Sequence, residues 1–426
     1  MSQDTPRAQT PPPQTADDRV TSLPGLGEPE GVQFAGYASI FGAANPNTIT
    51  DGDEQLFYWF AGTDDYAGRP TVLWTNGGPG SSSFWGFFLE NGPYEIGGTK
   101  EEPVLTPRPS AWNNHANYLI FEHPLSVTLS FVKDTAHLPQ NARQGIRQLY
   151  QALLNFLAKH PEIASNPIIL AGESYAGTYL PLLAEAILEG NAARGGTRLD
   201  LKGVVLLDAW VNPPVQMAQD TNYAFSHGLI SAREKAVLDE TYAGANISQI
   251  DDAISDICGV YMTNIAQQAD PPFDPVIDYL NRKDVRAALH VESKEKVEQS
   301  WSKAIGDLYA STVNDSYAGT VEGLLGRKLR VMVVSGLNDA KDCNFLGTAA
   351  WLELLQGDAA YAFKMAPTSR WQVGPAKQPQ VLGFIQEGSL LSWVKVLNAG
   401  HMAVLDQPLL INLILEKLLG AKDGGR

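Results

Sequence analysis

Ser174 lies in the stretch Gly172-Glu-Ser-Tyr-Ala-Gly177, with small residues two positions before and two after it. Gly172 and Ala176 at those places let the backbone bend sharply from a strand into a helix, leaving a serine hydroxyl clear of the turn. A helix starting just beyond Ser174 aims unsatisfied amides at the oxyanion that forms on attack, with the Tyr175 amide nearest. The hydroxyl needs a base, and the base needs an orienting carboxylate, in the chain order serine, acid, histidine for this arrangement. Asp339 and Asp342 both follow the apolar run Val331-Met-Val-Val-Ser-Gly336, and His401 follows Val394-Lys-Val-Leu-Asn-Ala-Gly400. Each run reads as a strand feeding a loop, where functional groups gather in an open α/β sheet. His115, His123, His137, His160, His227 and His290 lack the combination of strand end, glycine and position after the acid. The ordered trio predicts nucleophilic hydrolysis through a covalent acyl intermediate.

The elements that must carry these groups alternate strand and helix from about residue 31 onward, the pattern of an α/β sheet. Spans 34–40, 55–60, 71–75 and 117–121 read as strands. Between 141 and 160, Ile146, Leu149, Tyr150, Leu153 and Leu157 recur at helical spacing, and Pro161 ends the run. A short apolar strand opening at Pro167 meets the Ser174 turn, and a helix resumes over 179–188. Spans 204–207, 330–335 and 393–397 complete the buried strands, and a last helix is expected over 407–419 with Asp406 as its cap. From Asn212 to Phe273 the alternation lapses into polar, irregularly helical sequence, read as a cap inserted over the sheet. The expected organisation is an N-terminal Pro-rich disordered arm (1–30), a first core segment (31–212), the cap (213–276), a second core segment (277–420) and a tail (421–426).

Among 426 residues, 44% are hydrophobic and 18% charged, ordinary for a globular protein with a large core. A net charge of −16 disfavours nucleic acid and anionic membrane as partners, and no apolar run is long enough for a membrane span. Two cysteines, Cys258 and Cys343, exclude a disulfide-dense framework. Cys343 is expected to be a small buried hydrophobe beside the acid loop. The start, MSQDTPRAQTPPPQTADDRV, lacks the basic and apolar regions of a secretory signal. No HExxH or other paired-ligand spacing points to a metal, no cofactor motif is present, and no motif specifies an oligomeric state.

Five blocks carry a family resemblance: WTNGGPGSSS over 74–83, SAWNNHANYLIFEHP over 110–124, AGESYAGTYLP over 171–181, YLNRKDVRAALHV over 279–291, and NAGHMAVLDQP over 398–408. In this order they resemble the serine carboxypeptidases, α/β-hydrolases that remove C-terminal residues from peptides. The resemblance implies a mixed, mostly parallel sheet flanked by helices, with Ser174 as nucleophile, His401 as general base and acid, and Asp339 as the orienting carboxylate. Asp342 remains the alternative acid, because the spacing from Asp339 to Cys343 is one residue longer than the family's. Gly78 is implied as the second oxyanion donor beside Tyr175. Asn76, Glu90 and Glu173 are implied to hold the terminal carboxylate of a peptide substrate, with Trp74 lining that site. Two carboxyls can face a third only if protons are shared, so an acidic pH optimum is expected.

The chain also departs from the family pattern. Ser81 stands where a bridged cysteine is usual, and Ser126 and Thr128 stand where glycines are expected in the segment 126–130. Family members are secreted or vacuolar, an address that the observed N-terminus does not display. Two other readings use the same scaffold: an acyltransferase passing the acyl group to an alcohol or amine, and a binding protein without catalysis. The full set Asn76, Glu90 and Glu173 favours the peptidase.

Overall fold

The computed structural model describes residues 18–41, 54–193, 198–242, 249–291, 296–341, 343–375 and 378–420. Its strands are β1 Gln33–Ser39, β2 Glu54–Ala61, β3 Thr71–Thr75, β4 Tyr94–Gly98, β5 Pro103–Pro107, β6 Asn117–Phe121, β7 Phe131–Val132, β8 Ile168–Ser174, β9 Leu201–Ala209, β10 Arg330–Gly336, β11 Thr368–Val373, β12 Gln380–Glu387 and β13 Leu391–Val396. Eleven form one sheet in the order β1-β2-β6-β3-β8-β9-β10-β13-β12-β11, with β7 beside β2; β4 and β5 form a separate hairpin. The middle of the sheet, from β6 through β13, is parallel, while both edges are antiparallel.

Why the central strands read as unbroken apolar runs is plain from their two faces. Leu73, Leu119, Leu170, Leu206 and Val333 point into one core, and the neighbouring Val72, Ile120, Ala171, Val205 and Met332 into the other. Side chains alternate across a strand, and helices cover both faces here, so neither set can be polar. Helix α1 (Ala142–Lys159) is capped by the Asn141 side chain, which accepts from the Gln144 amide at 3.1 Å. Its Ile146, Leu149, Leu153 and Leu157 pack with Leu180 and Leu183 of α2 (Ala176–Ala192) on the first face. Ile411, Ile414 and Leu418 of the last helix, Leu410–Leu419, cover the second.

The cap region begins with α3 (Pro213–Met217), α4 (Asp220–Ser226), α5 (Ala232–Thr241) and α6 (Ile250–Cys258). It has a small core of its own, in which Tyr223, Leu238, Ile250 and Ile254 meet Ala340 of the acid loop.

Two expectations need correction. Residues 18–30, assigned to the disordered arm, are ordered against the sheet. Val20 donates to the Gln33 carbonyl at 2.9 Å, Val20 and Leu23 are buried, and the Asp18 carboxylate meets His160 at 2.9 Å and Lys159 at 3.1 Å. Asp406 does not cap the last helix. It ends a separate short turn, Ala403–Asp406, and its carboxylate is committed to the Gly400 amide at 2.8 Å, Asn264 at 3.0 Å and Gln267 at 2.8 Å. The last helix therefore starts three residues later than expected, at Leu410.

Candidate active site

Ser174 ends β8 with φ +61, a left-handed backbone that a non-glycine residue holds only where its surroundings fix it. The carbonyl of Ser174 accepts the Trp210 amide at 2.8 Å, anchoring the turn to the strand next door. Helix α2 begins two residues later, so its amide end faces the hydroxyl. The NGGPG turn lies directly against this elbow. A Cβ placed on Gly77 would stand 2.3 Å from the Tyr175 amide nitrogen and 2.9 Å from Ser174 Cβ, and Gly78 follows with φ +107. Residues 300–302 hold that turn in place: Trp301 Nε1 donates to the Pro79 carbonyl at 2.7 Å, and Ser302 N to the Gly80 carbonyl at 2.9 Å.

Asp339 and His401 come from the loops after β10 and β13. His401 Nδ1 lies 2.8 Å from Asp339 Oδ2, and Asp339 Oδ1 accepts the Lys341 amide at 3.0 Å; the Asp339 side chain has no solvent exposure. Asp342 lies outside the described residues. One strand of cap sequence ties both loops together. Met262 O accepts the Ala340 amide at 2.9 Å, Thr263 O accepts the His401 amide at 2.8 Å, and Ile265 N donates to Asn338 O at 3.0 Å. With Nδ1 turned to Asp339, Nε2 lies on the side of the ring away from that carboxylate.

A second cluster assembles around Asn76. Its Oδ1 accepts from Trp74 Nε1 at 2.9 Å and from the Gly86 amide at 3.1 Å, which fixes the orientation of the amide. The Nδ2 group must then face the other way, where it donates to Glu90 Oε1 and Glu173 Oε1, each at 2.9 Å. Both glutamates are buried, at 2% and 5% exposure, and the Oε2 of each has no hydrogen-bond partner. Burial raises both pKa values. For Glu173 the Glu90 charge and hydrogen bond push further, to well above the usual carboxylate range, while Asn76, Glu173, His401 and Arg108 draw Glu90 back down. The pair is thus set to hold at least one proton. Glu90 closes a wide π-helical turn, Trp85–Glu90, of a kind common at functional sites.

Trp74 is wholly buried, packs edge-on against Trp112 and joins the cluster through its bond to Asn76. Two residues escaped the sequence reading. Arg108 is buried beside the Glu90 turn, donating to the Phe88 carbonyl at 2.7 Å and pairing with Glu95 at 3.0 Å. Asp208, at the end of β9, is the other; an acid at the carboxyl end of a parallel strand was the available signal.

The segment 126–130 resolves into a local compensation. Ser126 and Thr128 adopt φ of +72 and +38 without being glycines. Ser126 Oγ bonds Ser302 Oγ at 2.8 Å, and Thr128 Oγ1 donates to the buried Glu122, which also takes Ser82 Oγ at 2.6 Å. Burial, set against those hydroxyl donors, raises Glu122 to about 7. Cys258 and Cys343 form no disulfide, and Cys343 is buried as expected.

A cleft of about 390 Å³ is lined by Pro79 of the NGGPG turn, Trp210, Met217, Val313 and Asp251 among others. Sheet order, elbow and strand-end loops together define an α/β hydrolase, with His401 and Asp339 hydrogen-bonded to each other at the strand ends.

Comparison with known proteins narrows the class. The serine carboxypeptidase family profile matches residues 24–269 and 260–420. Serine carboxypeptidase-like 48 of Arabidopsis thaliana is 27% identical over 409 residues, covering 90% of this chain and 77% of that protein. The venom serine carboxypeptidase of Apis mellifera is 29% identical over 402 residues, covering 88% and 81%. In three dimensions the chain resembles Kex1(delta)p, a prohormone-processing carboxypeptidase from Saccharomyces cerevisiae. The TM-score is 0.80 at 20% identity, over 96% of this chain and 97% of that one, a likeness of fold. The chain belongs to the serine carboxypeptidase family and is a serine-type carboxypeptidase.

Proposed function

We propose that this enzyme releases the last residue of a peptide through an acyl-enzyme on Ser174, and does so best at acidic pH. The observation that carries this reading is the Asn76 cluster: two buried glutamates that share a proton and meet no donor besides Asn76, near enough to His401 for its charge to act on Glu90. A terminal carboxylate entering there accepts from a protonated glutamate, while Asn76 holds both glutamates in place through its two N–H bonds. The scissile carbonyl, one residue back, then falls toward Ser174.

Ser174 Oγ attacks that carbon while His401 Nε2 takes its proton, and Asp339 steadies the imidazolium. The Gly78 and Tyr175 amides receive the oxyanion. His401 passes the proton to the leaving amine as the peptide bond breaks, and water, deprotonated by His401, releases the shortened peptide. Above the pKa of the glutamate pair both carboxyls are charged and repel the substrate's own, so peptide turnover declines as pH rises.

The cleft walled by Trp210, Met217 and Val313 is suited to an apolar penultimate side chain, and Asp251 disfavours an acidic one. N-blocked dipeptides without any added acceptor test the whole reading. Free amino acid should appear, faster with apolar than with acidic penultimate residues, and not at all with Ser174→Ala. Product only in the presence of an alcohol or amine acceptor would assign acyl transfer instead.

A further inference from the structure

Asp208 has a backbone that sequence preference does not explain. It sits near the end of β9 with φ +38, where an L side chain is strained, and it has no solvent exposure. One contact accounts for its retention: Oδ1 accepts the Gly336 amide at 2.8 Å. Gly336 ends β10 and opens the turn to Asp339, whose amide returns to the Gly336 carbonyl at 3.3 Å. Gly336 also touches the histidine loop, since a Cβ placed on it would stand 2.0 Å from the Gly400 carbonyl oxygen. The Asp208 side chain therefore grips the point at which the acid and histidine loops leave the sheet together.

We propose that Asp208 is a positioning residue for the hydrolytic reaction, a side-chain strut from β9 that fixes the turn carrying Asp339 and, through it, the direction of His401. The inference rests on the assignment of Ser174, His401 and Asp339 given above. The titratable groups facing Asp208 are Asp339 on the acid loop, Asp406 behind the histidine loop, Glu173 on β8 and Tyr223 on α4. Burial and then the Asp339 charge raise its pKa well above the usual range, with Asp406 adding to this and the Gly336 amide opposing it. Asp208 thus works as a neutral acceptor toward the Gly336 amide. What matters is its shape and its lone pair.

Asparagine has the same shape, keeps the carbonyl acceptor and tolerates positive φ, whereas glycine tolerates the backbone but removes the strut. Full-length Asp208→Asn and Asp208→Gly are compared with the native enzyme on a blocked dipeptide and on its C-terminal amide. The amide lacks the carboxylate, so its acid limb reports His401 without the glutamate pair. Asp208→Gly should lose about 10- to 100-fold in kcat with KM nearly unchanged, the cost of a displaced catalytic group. Asp208→Asn should keep kcat within about threefold and superimpose on the native acid limb.

An acid limb moved to lower pH in Asp208→Asn would mean that Asp208 carries a charge sensed by His401, and would overturn the proposal. Full kcat in Asp208→Gly would overturn it as well. If Asp208→Gly does not fold, the Asp208→Asn profile decides alone. Ser174→Ala run alongside separates the two levels: activity surviving there removes the triad assignment itself, whereas its loss together with a shifted Asp208→Asn limb removes only the strut.

Discussion

Asp339 and the pair Glu90 and Glu173 are all buried carboxyls, but their hydrogen bonding is opposite in kind. Both oxygens of Asp339 are occupied, one by His401 Nδ1 and one by the Lys341 amide. Each glutamate has one oxygen on Asn76 and, beyond the proton that the pair shares, meets no other donor. A buried acceptor left open costs free energy that a stable fold avoids unless something else completes it. In the proposed reaction the Asp339 group is complete before substrate arrives, whereas the glutamate pair is completed by it. Substitutions in the two regions should therefore fail differently, the first in kcat and the second in KM and in pH dependence.

The largest effect should come from the nucleophile. Ser174→Ala should lower kcat by about 10⁵-fold or more while leaving the binding of a blocked dipeptide intact, measured by turnover and by calorimetry. Asp339→Asn should keep the geometry but disturb the imidazole tautomer, costing about 10⁴-fold in kcat with little change in KM. Parity between Asp339→Asn and the native enzyme would move the acid elsewhere, with Asp342 the first place to look.

Changes in the glutamate pair should be milder and of another character. Glu173→Gln cannot ionise yet still donates one hydrogen bond. It should raise KM for peptides about 10-fold at acidic pH and extend activity to higher pH, read from kcat/KM profiles. The sign follows from the raised pKa: the neutral form binds the substrate carboxylate below it and is lost above it. C-terminal amides should be indifferent to this substitution.

The smallest effect concerns stability alone. Glu122 is raised from an ordinary carboxyl value of 4.5 to about 7, so its contribution to stability is full below about 4.5 and is lost as pH rises through about 7. Glu122→Gln should flatten the decline in Tm across that window, worth roughly 3 kcal/mol at most. An unchanged slope would mean that Glu122 ionises freely despite its burial.

How far the sequence was legible follows the range of the contacts involved. The central strands were readable because helices bury both faces, making each strand an apolar run; β11 was missed because most of it is polar and exposed, and β12 although Val381 to Ile385 form a short apolar run. Ser174, Asp339 and His401 could be singled out because each follows a strand end, a local signal. Glu90 alone looks like any surface charge, and only its resemblance-derived place fourteen positions after Asn76 marked it. Its burial arises from the π-helical turn and from Arg108, which is a tertiary arrangement. Asp208 and Asp406 were passed over or misread for the same reason, since Gly336 of β10 and the cap residue Asn264 reach them from distant sequence. Residues 18–30 were assigned to a disordered arm on composition, though Val20 and Leu23 already offered two apolar anchors.

The most direct test of a clamp built for a free terminal carboxylate is to measure kcat/KM against pH for one blocked dipeptide and for its C-terminal amide. The peptide should be favoured at acidic pH and fall away as the Glu90 and Glu173 pair ionises, while the amide, with no carboxylate to repel, should hold or rise. Profiles of the same shape for both substrates would contradict the account.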